Sequence, residues 1–96
     1  MVVVLAHIEV KEGAVPGLIE AADKCAELTR QEAGCIFYTL YASTEDPQNF
    51  VFVEEWESKE LLDAHLASEH LNAFVAEIEN LLASPLDIKI YEANQV

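Results

Sequence analysis

Positive charge is scarce in this sequence. Five lysines and arginines stand against 18 aspartates and glutamates, and the formal net charge at pH 7 is −13. That balance argues against nucleic acid as a partner, because phosphate binding needs clustered basic side chains. An anionic membrane surface is disfavoured for the same reason. Small uncharged or aromatic ligands remain, since their binding depends on a pocket and not on the global field. Cysteine is scarce too. Cys25 and Cys35 form neither CxxC nor any zinc-type spacing. They read as small core fillers with reduced thiols in a cytoplasmic protein. Long hydrophobic runs are missing: the apolar start, Met1 to Ala6, is short, carries no basic flank and no small-residue cleavage site, and is neither a signal peptide nor a membrane span. There is no glycine-rich phosphate loop, no GxSxG and no Rossmann fingerprint, so nucleotide or flavin binding has no support in the sequence.

What is present is apolar and periodic. The chain has 96 residues, 52% of them hydrophobic, which argues against disorder and for a single domain over residues 1–96. Val2 to Val10 is β-branched and reads as a strand. From Ala14 to Glu32 the pattern becomes helical, with Val15, Leu18, Ile19, Ala22, Cys25, Ala26 and Thr29 at three- and four-residue steps. Pro16 suits the first turn of that helix and Gly34 lies just past its end. Cys35 to Ala42 and Phe50 to Glu57 read as a hairpin around the polar turn Ser43 to Asn49. Ser58 and Ser68 look like N-caps, giving a helix over Lys59 to Ala67 and another over Glu69 to Ala83, either separate or as one bent helix. Leu86 to Ala93 alternates and is a fourth strand. The order β-α-β-β-α-β predicts an α+β ferredoxin-like fold, a four-stranded antiparallel sheet with its helices on one face.

Two strands carry an excess of apolar residues. Val2-Val3-Val4-Leu5 and Phe50-Val51-Phe52-Val53 are apolar on both faces, where a sheet with one wet face should alternate. These are the strands expected at the centre of the sheet. Their open face therefore needs a cover, and a second copy of the chain is the simplest one. The alternative is that some of these valines are tolerated on an exposed face.

Chemistry gathers in Glu54 to Phe74, which holds the only tryptophan and two of the three histidines. His65 falls on the stripe facing the sheet, four residues after Leu61. His70 follows the break at Ser68, and Trp56 ends the third strand. An aromatic wall with one or two imidazoles suits a flat phenolic or quinol ligand, and a histidine titrates where it can remove a phenol or enol proton. The competing reading makes His65 and His70 core histidines and Trp56 a packing residue. His7 faces either the cavity or the dimer interface. No metal is expected: His65 and His70 are five apart, which on a continuous helix points them in different directions, and the i,i+4 spacing of a zinc helix is absent.

In this segment the chain resembles the antibiotic biosynthesis monooxygenase family. The resemblance is carried by Glu55-Trp56-Glu57-Ser58, Asp63-Ala64-His65-Leu66, Glu69-His70-Leu71 and Ala73-Phe74, with Glu32-Ala33-Gly34-Cys35 before the second strand. It implies a homodimer forming a dimeric α/β barrel, with a pocket in each subunit. It also implies a monooxygenase that, like the family's quinol and anthrone oxidisers, uses dioxygen with neither metal nor flavin. On that likeness His65 is the base, His70 a second polar group and Trp56 a ring wall. His7, Phe37 and Phe74 are further substrate contacts. Haem degradation, found in other members, is disfavoured, because Val75 stands where the axial histidine would be and His7 where the asparagine would be. An isomerase or lyase of a small hydroxy-carbonyl metabolite, or a non-catalytic ligand-binding dimer, are the alternatives.

Overall fold

Seven regular elements follow one another in a computed structural model that describes residues 1–96. They are β1 (Val2–Glu9), α1 (Val15–Thr29), β2 (Cys35–Ala42), β3 (Asn49–Trp56), α2 (Lys59–Leu66), α3 (Glu69–Ile78) and β4 (Asp87–Glu92), with a 3₁₀ turn at Glu79–Leu81. The sheet order is β2-β3-β1-β4, with every neighbouring pair antiparallel. The two doubly apolar strands are indeed central. No helix is long and apolar enough to cross a membrane.

The expectation of a barrel is corrected here. The sheet is open: β2 and β4 each pair on one side only, and nothing joins them. Four strands are too few to curl round onto themselves, since closure takes about eight strands around a filled interior. The ferredoxin-like sheet with helices on one face stands, and the barrel does not.

Register aligns the helix-covered face into rows. Tyr38, Glu54, Val4 and Ile90 are cross-strand partners from β2 to β4, and Leu40, Phe52, Ala6 and Ile88 form the next row. Leu18, Ala22 and Cys25 of α1 and Leu62, Phe74 and Ile78 of α2 and α3 close over these rows to make the core. Alternate residues Val3, Leu5, Val51 and Val53 lie on the other face and are half-buried.

Local chemistry sets the helix ends. Ser58 Oγ accepts from the Leu61 N–H at 3.2 Å, and Ser68 Oγ accepts from the Leu71 N–H at 3.3 Å. Each cap satisfies a first-turn donor that has no partner inside its helix. Ser68 also donates to the His65 carbonyl at 2.7 Å, so the same hydroxyl that opens α3 closes α2. Two abutting helices result, not one bent one. The sequence pattern runs past the true ends of two helices. Instead of continuing to Ala83, α3 stops at Ile78, because Leu82 bridges Val10 and Ala83 N–H donates to the Glu9 carbonyl at 2.8 Å. Likewise α1 stops at Thr29, and the Gln31 and Glu32 N–H groups turn back onto the Leu28 and Thr29 carbonyls.

Gly34 has φ +84°, and a Cβ there would collide with Leu61 Cδ1 and lie 2.8 Å from Leu61 Cβ. Only glycine permits this left-handed turn and this approach together. The close contact brings the start of α2 against the loop that carries Glu32. That loop is thereby held beside the helix bearing His65.

Candidate active site

A carboxylate and two imidazoles meet where α2 ends and α3 begins. Glu32 Oε2 lies 2.7 Å from His65 Nδ1 and 2.8 Å from His70 Nε2. One oxygen thus accepts from both rings, which requires each of those nitrogens to carry a proton. The helix break explains the convergence. On a continuous helix the two rings would diverge, as the sequence spacing implied; the turn at Ala67-Ser68 brings them together. Ser68 Oγ is 3.4 Å from His70 Nε2 and completes the cluster.

His65 is 1% exposed. With Nδ1 committed to Glu32, Nε2 has no partner in the chain, and no buried side-chain nitrogen or oxygen is left unpaired. Nε2 therefore reaches open space, and His65 lines an internal cavity of about 60 Å³ between the sheet and α2–α3. Burial is the main influence on the ring and lowers its pKa below 6.5, against the opposing pull of the Glu32 hydrogen bond. The ring is therefore neutral at pH 7, with a lone pair on Nε2.

The cavity is apolar apart from three side chains. Its floor is formed by Val4, Ala6, Phe52 and Ile8, its roof by Leu62, Leu71 and Phe74, and His65, Tyr38 and Glu54 are its polar members. Leu66, Val75, Ile88 and Ile90 ring the side nearest β4, and all four are exposed. Tyr38 meets the His65 ring edge-on, with centroids 5.4 Å apart, and its hydroxyl contacts Cys25 Sγ at 3.8 Å. Burial pushes the Tyr38 phenol far above its ordinary range, so it stays neutral. Glu54 is 5% exposed and accepts one hydrogen bond, from Trp56 Nε1 at 3.0 Å. Burial pushes its carboxyl up to about 7, with the Trp56 hydrogen bond opposing and the Glu32 charge reinforcing the rise.

Of the residues expected from the sequence, His65, His70, Trp56 and Phe74 come together. Trp56 is fully buried and lies behind His65, ring centroids 4.7 Å apart at 32°, so it braces the imidazole instead of lining the cavity. Phe74 lines the cavity and packs edge-on against Phe52. His7 and Phe37 lie on the opposite face of the sheet, exposed, and do not reach this site. Sequence reasoning missed Glu32 and Glu54. In so acidic a chain neither stands out by type. The signal for Glu54 was its place in Phe50-Val51-Phe52-Val53-Glu54, where period two puts it on the covered face with Phe50 and Phe52.

Glu32, His65 and His70 could also hold a metal ion, since their ligand atoms lie within 4.8 Å of one another. Binding would require His65 Nδ1 and His70 Nε2 to lose the protons they now donate to Glu32, because a metal takes the nitrogen lone pairs. A second, open groove of about 370 Å³ runs between α1 and α3, with His70 on its wall and the Lys24–Glu77 ion pair, 3.2 Å, across it.

The model of the antibiotic biosynthesis monooxygenase family matches residues 1–77. The protein sll1783 of Synechocystis is 34% identical over 91 residues, covering 95% of this chain. This chain spans 62% of that relative's length. YcnE of Bacillus subtilis, a provisional monooxygenase by its name, is 30% identical over 92% of this chain and 93% of its own. A crystal structure described as an antibiotic biosynthesis monooxygenase superposes with a TM-score of 0.91 at 32% identity, covering 99% of this chain and 100% of that one.

Proposed function

The chain belongs to the antibiotic biosynthesis monooxygenase family, and from that premise we propose that it oxidises a small flat quinol or anthrone-like compound with dioxygen, using neither metal nor flavin. Family membership supports monooxygenase-type activity in general. The narrower reading rests on one observation: an imidazole braced by a carboxylate, with its second nitrogen unpartnered, belongs to a residue that lines an apolar cavity.

In this reading His65 Nε2 takes a proton from a phenol or enol, and Glu32 stabilises the imidazolium that forms. The resulting anion is electron-rich enough to meet dioxygen directly. The carbon adds dioxygen to give a hydroperoxide, which collapses to a carbonyl and water. The carbon gives up four electrons, one oxygen atom stays in the product and the other leaves in water. His65 returns its proton to the peroxide, so the protein ends as it began. Tyr38 is too firmly neutral to act as the base, but Phe74 and Phe52 offer faces to a ring. A cavity of about 60 Å³ is smaller than the roughly 150 Å³ that takes up benzene in a protein interior. Admission of a ring therefore depends on rotation of Leu66, Val75, Ile88 and Ile90, which being exposed are free to turn. The groove beside His70 has more room but is open to water and lacks the free imidazole nitrogen.

Oxygen uptake on a panel of quinols and anthrones, with protein stripped by chelator, tests this. His65→Ala should lower turnover at least about 100-fold, in line with the loss of a general base. Unchanged turnover in that variant removes His65 from the role. Turnover that persists without oxygen points to the isomerase alternative, and binding without turnover in either atmosphere points to a ligand carrier.

The same reading includes a homodimer through the open sheet face. Val3, Leu5, Val51 and Val53 form its half-buried centre, and Phe37, Tyr41 and Tyr91 surround them, exposed. An apolar patch of this kind on an open sheet is the usual mark of an interface.

A further inference from the structure

We propose that Glu54 is a second group in contact with the ligand and that it sets the ligand's charge class: the cavity takes neutral, hydrogen-bonding compounds and refuses those bearing a carboxylate or phosphate. The inference rests on the cavity being the ligand site, as in the reading above, but not on the chemistry performed there.

The charge of Glu54 has no structural account, since a neutral acceptor would serve the Trp56 indole equally well. It sits on a central strand in a row with Val4 and Ile90, among residues that bury apolar surface. Neither lysine nor arginine pairs with it anywhere in the chain. Its Oε1 accepts the Trp56 indole N–H, while Oε2 has no partner and yet is not sealed. Glu54 lines the cavity that His65 also lines, and this is the space the proposal assigns to its free oxygen. A carboxyl buried with one hydrogen bond and no counter-charge is costly, and folding alone would favour a neutral acceptor for the Trp56 indole in its place.

The surrounding titratable groups offer no relief. They are Tyr38 and Cys35 on β2, Cys25 on α1, His65 on α2 and Glu32 in the loop before β2. None supplies a fixed positive charge. Burial raises the carboxyl to about 7, so near neutrality it exists both as an acid that donates a hydrogen bond and as an anion that accepts one. Either form can engage a hydroxyl or carbonyl. The anionic form repels a ligand anion at close range in a poorly screened space.

Hydroquinone and its carboxylated analogue 2,5-dihydroxybenzoate are suitable probes. Their binding at pH 8 is followed by the fluorescence of Trp56, the only tryptophan and the donor to Glu54. The wild type should bind hydroquinone at least about tenfold more tightly than the carboxylate, the gap a like charge imposes through partial screening. Glu54→Gln keeps the indole hydrogen bond and removes the charge, and should shrink the gap to about threefold or less. The neutral-to-anion ratio is a readout that a purely structural role would not move. An unchanged ratio in Glu54→Gln overturns the proposal, even where His65-dependent oxygen uptake continues. Loss of oxygen uptake in His65→Ala with an altered ratio in Glu54→Gln upholds both readings. Failure of hydroquinone to bind the wild type overturns this proposal outright.

Discussion

The two faces of the sheet are made from alternate residues of the same four strands, and they distribute polarity against expectation. The face covered by helices holds Glu54, Tyr38 and the approach to His65. The uncovered face has Val3, Leu5, Val51 and Val53 at its centre, with Phe37, Tyr41 and Tyr91 about them. In a sheet organised for stability alone the polar groups would be outside and the apolar ones inside. Each departure has a different cause. Polar groups on the covered face are costly to bury, so they mark chemistry. Apolar groups on the bare face are costly to leave wet, so they mark a partner. Comparing the faces thus separates a candidate site from a candidate interface before any ligand or partner is seen.

The largest test of that contrast falls on the covered face. Trp56→Ala removes a fully buried ring that braces His65 and donates to Glu54. We expect it to cost about 3–5 kcal/mol in chemical denaturation. A loss under about 1 kcal/mol would mean the covered face is not tightly packed there.

Glu54→Gln gives the next effect, and its sign depends on pH. Burial pushes the carboxyl up to about 7 in the folded chain from an ordinary 4.5. Between those values the folded state holds a proton that the unfolded chain has released. Wild-type stability therefore falls as pH rises through that window, and the full penalty remains above it. The glutamine variant should lose this slope, gaining up to about 3 kcal/mol at pH 8 relative to pH 4 when compared with the wild type. His65 acts in the opposite sense in both proteins, because its lowered pKa costs stability as pH falls below 6.5. Equal pH slopes in the two proteins would show that Glu54 is not desolvated.

The smallest effect on folding is expected on the bare face. Val53→Glu should change the stability of the separated subunit by no more than about 0.5 kcal/mol. It should nonetheless convert a sedimenting dimer into a monomer and remove any dependence of the thermal midpoint on protein concentration. A wild-type protein that sediments as a monomer at micromolar concentration ends the argument for an interface on this face.

Particular residues show how far the sequence could be read. The capping serines Ser58 and Ser68 were visible because an N-cap is a local device, complete within four residues. The centrality of β1 and β3 was visible because two-sided apolarity is a property of a strand's own residues. The helix end at Ile78 was not, because the Leu82–Val10 bridge and the Ala83 bond to the Glu9 carbonyl override helical periodicity, nor was the end at Thr29, where Gln31 and Glu32 turn back onto the Leu28 and Thr29 carbonyls. Nor was the meeting of His65 with His70. Their spacing argued for divergence, and the meeting depends on a carboxylate 33 residues before His65. The expected barrel failed at the same level, since closure is a relation among strands and no strand encodes it.

By itself, then, the sequence determined the order of elements, the strands that lie inside the sheet and the residue types available for proton chemistry. These follow from periodicity and local hydrogen bonding, which act over a few residues. Only the tertiary structure decided that Glu32 joins the two histidines and that Glu54 shares the cavity of His65. It alone decided that His7 and Phe37 belong to the other face and that the sheet stays open. Those outcomes depend on register and on packing between distant segments, and a single shift of register would have moved each side chain to the opposite face.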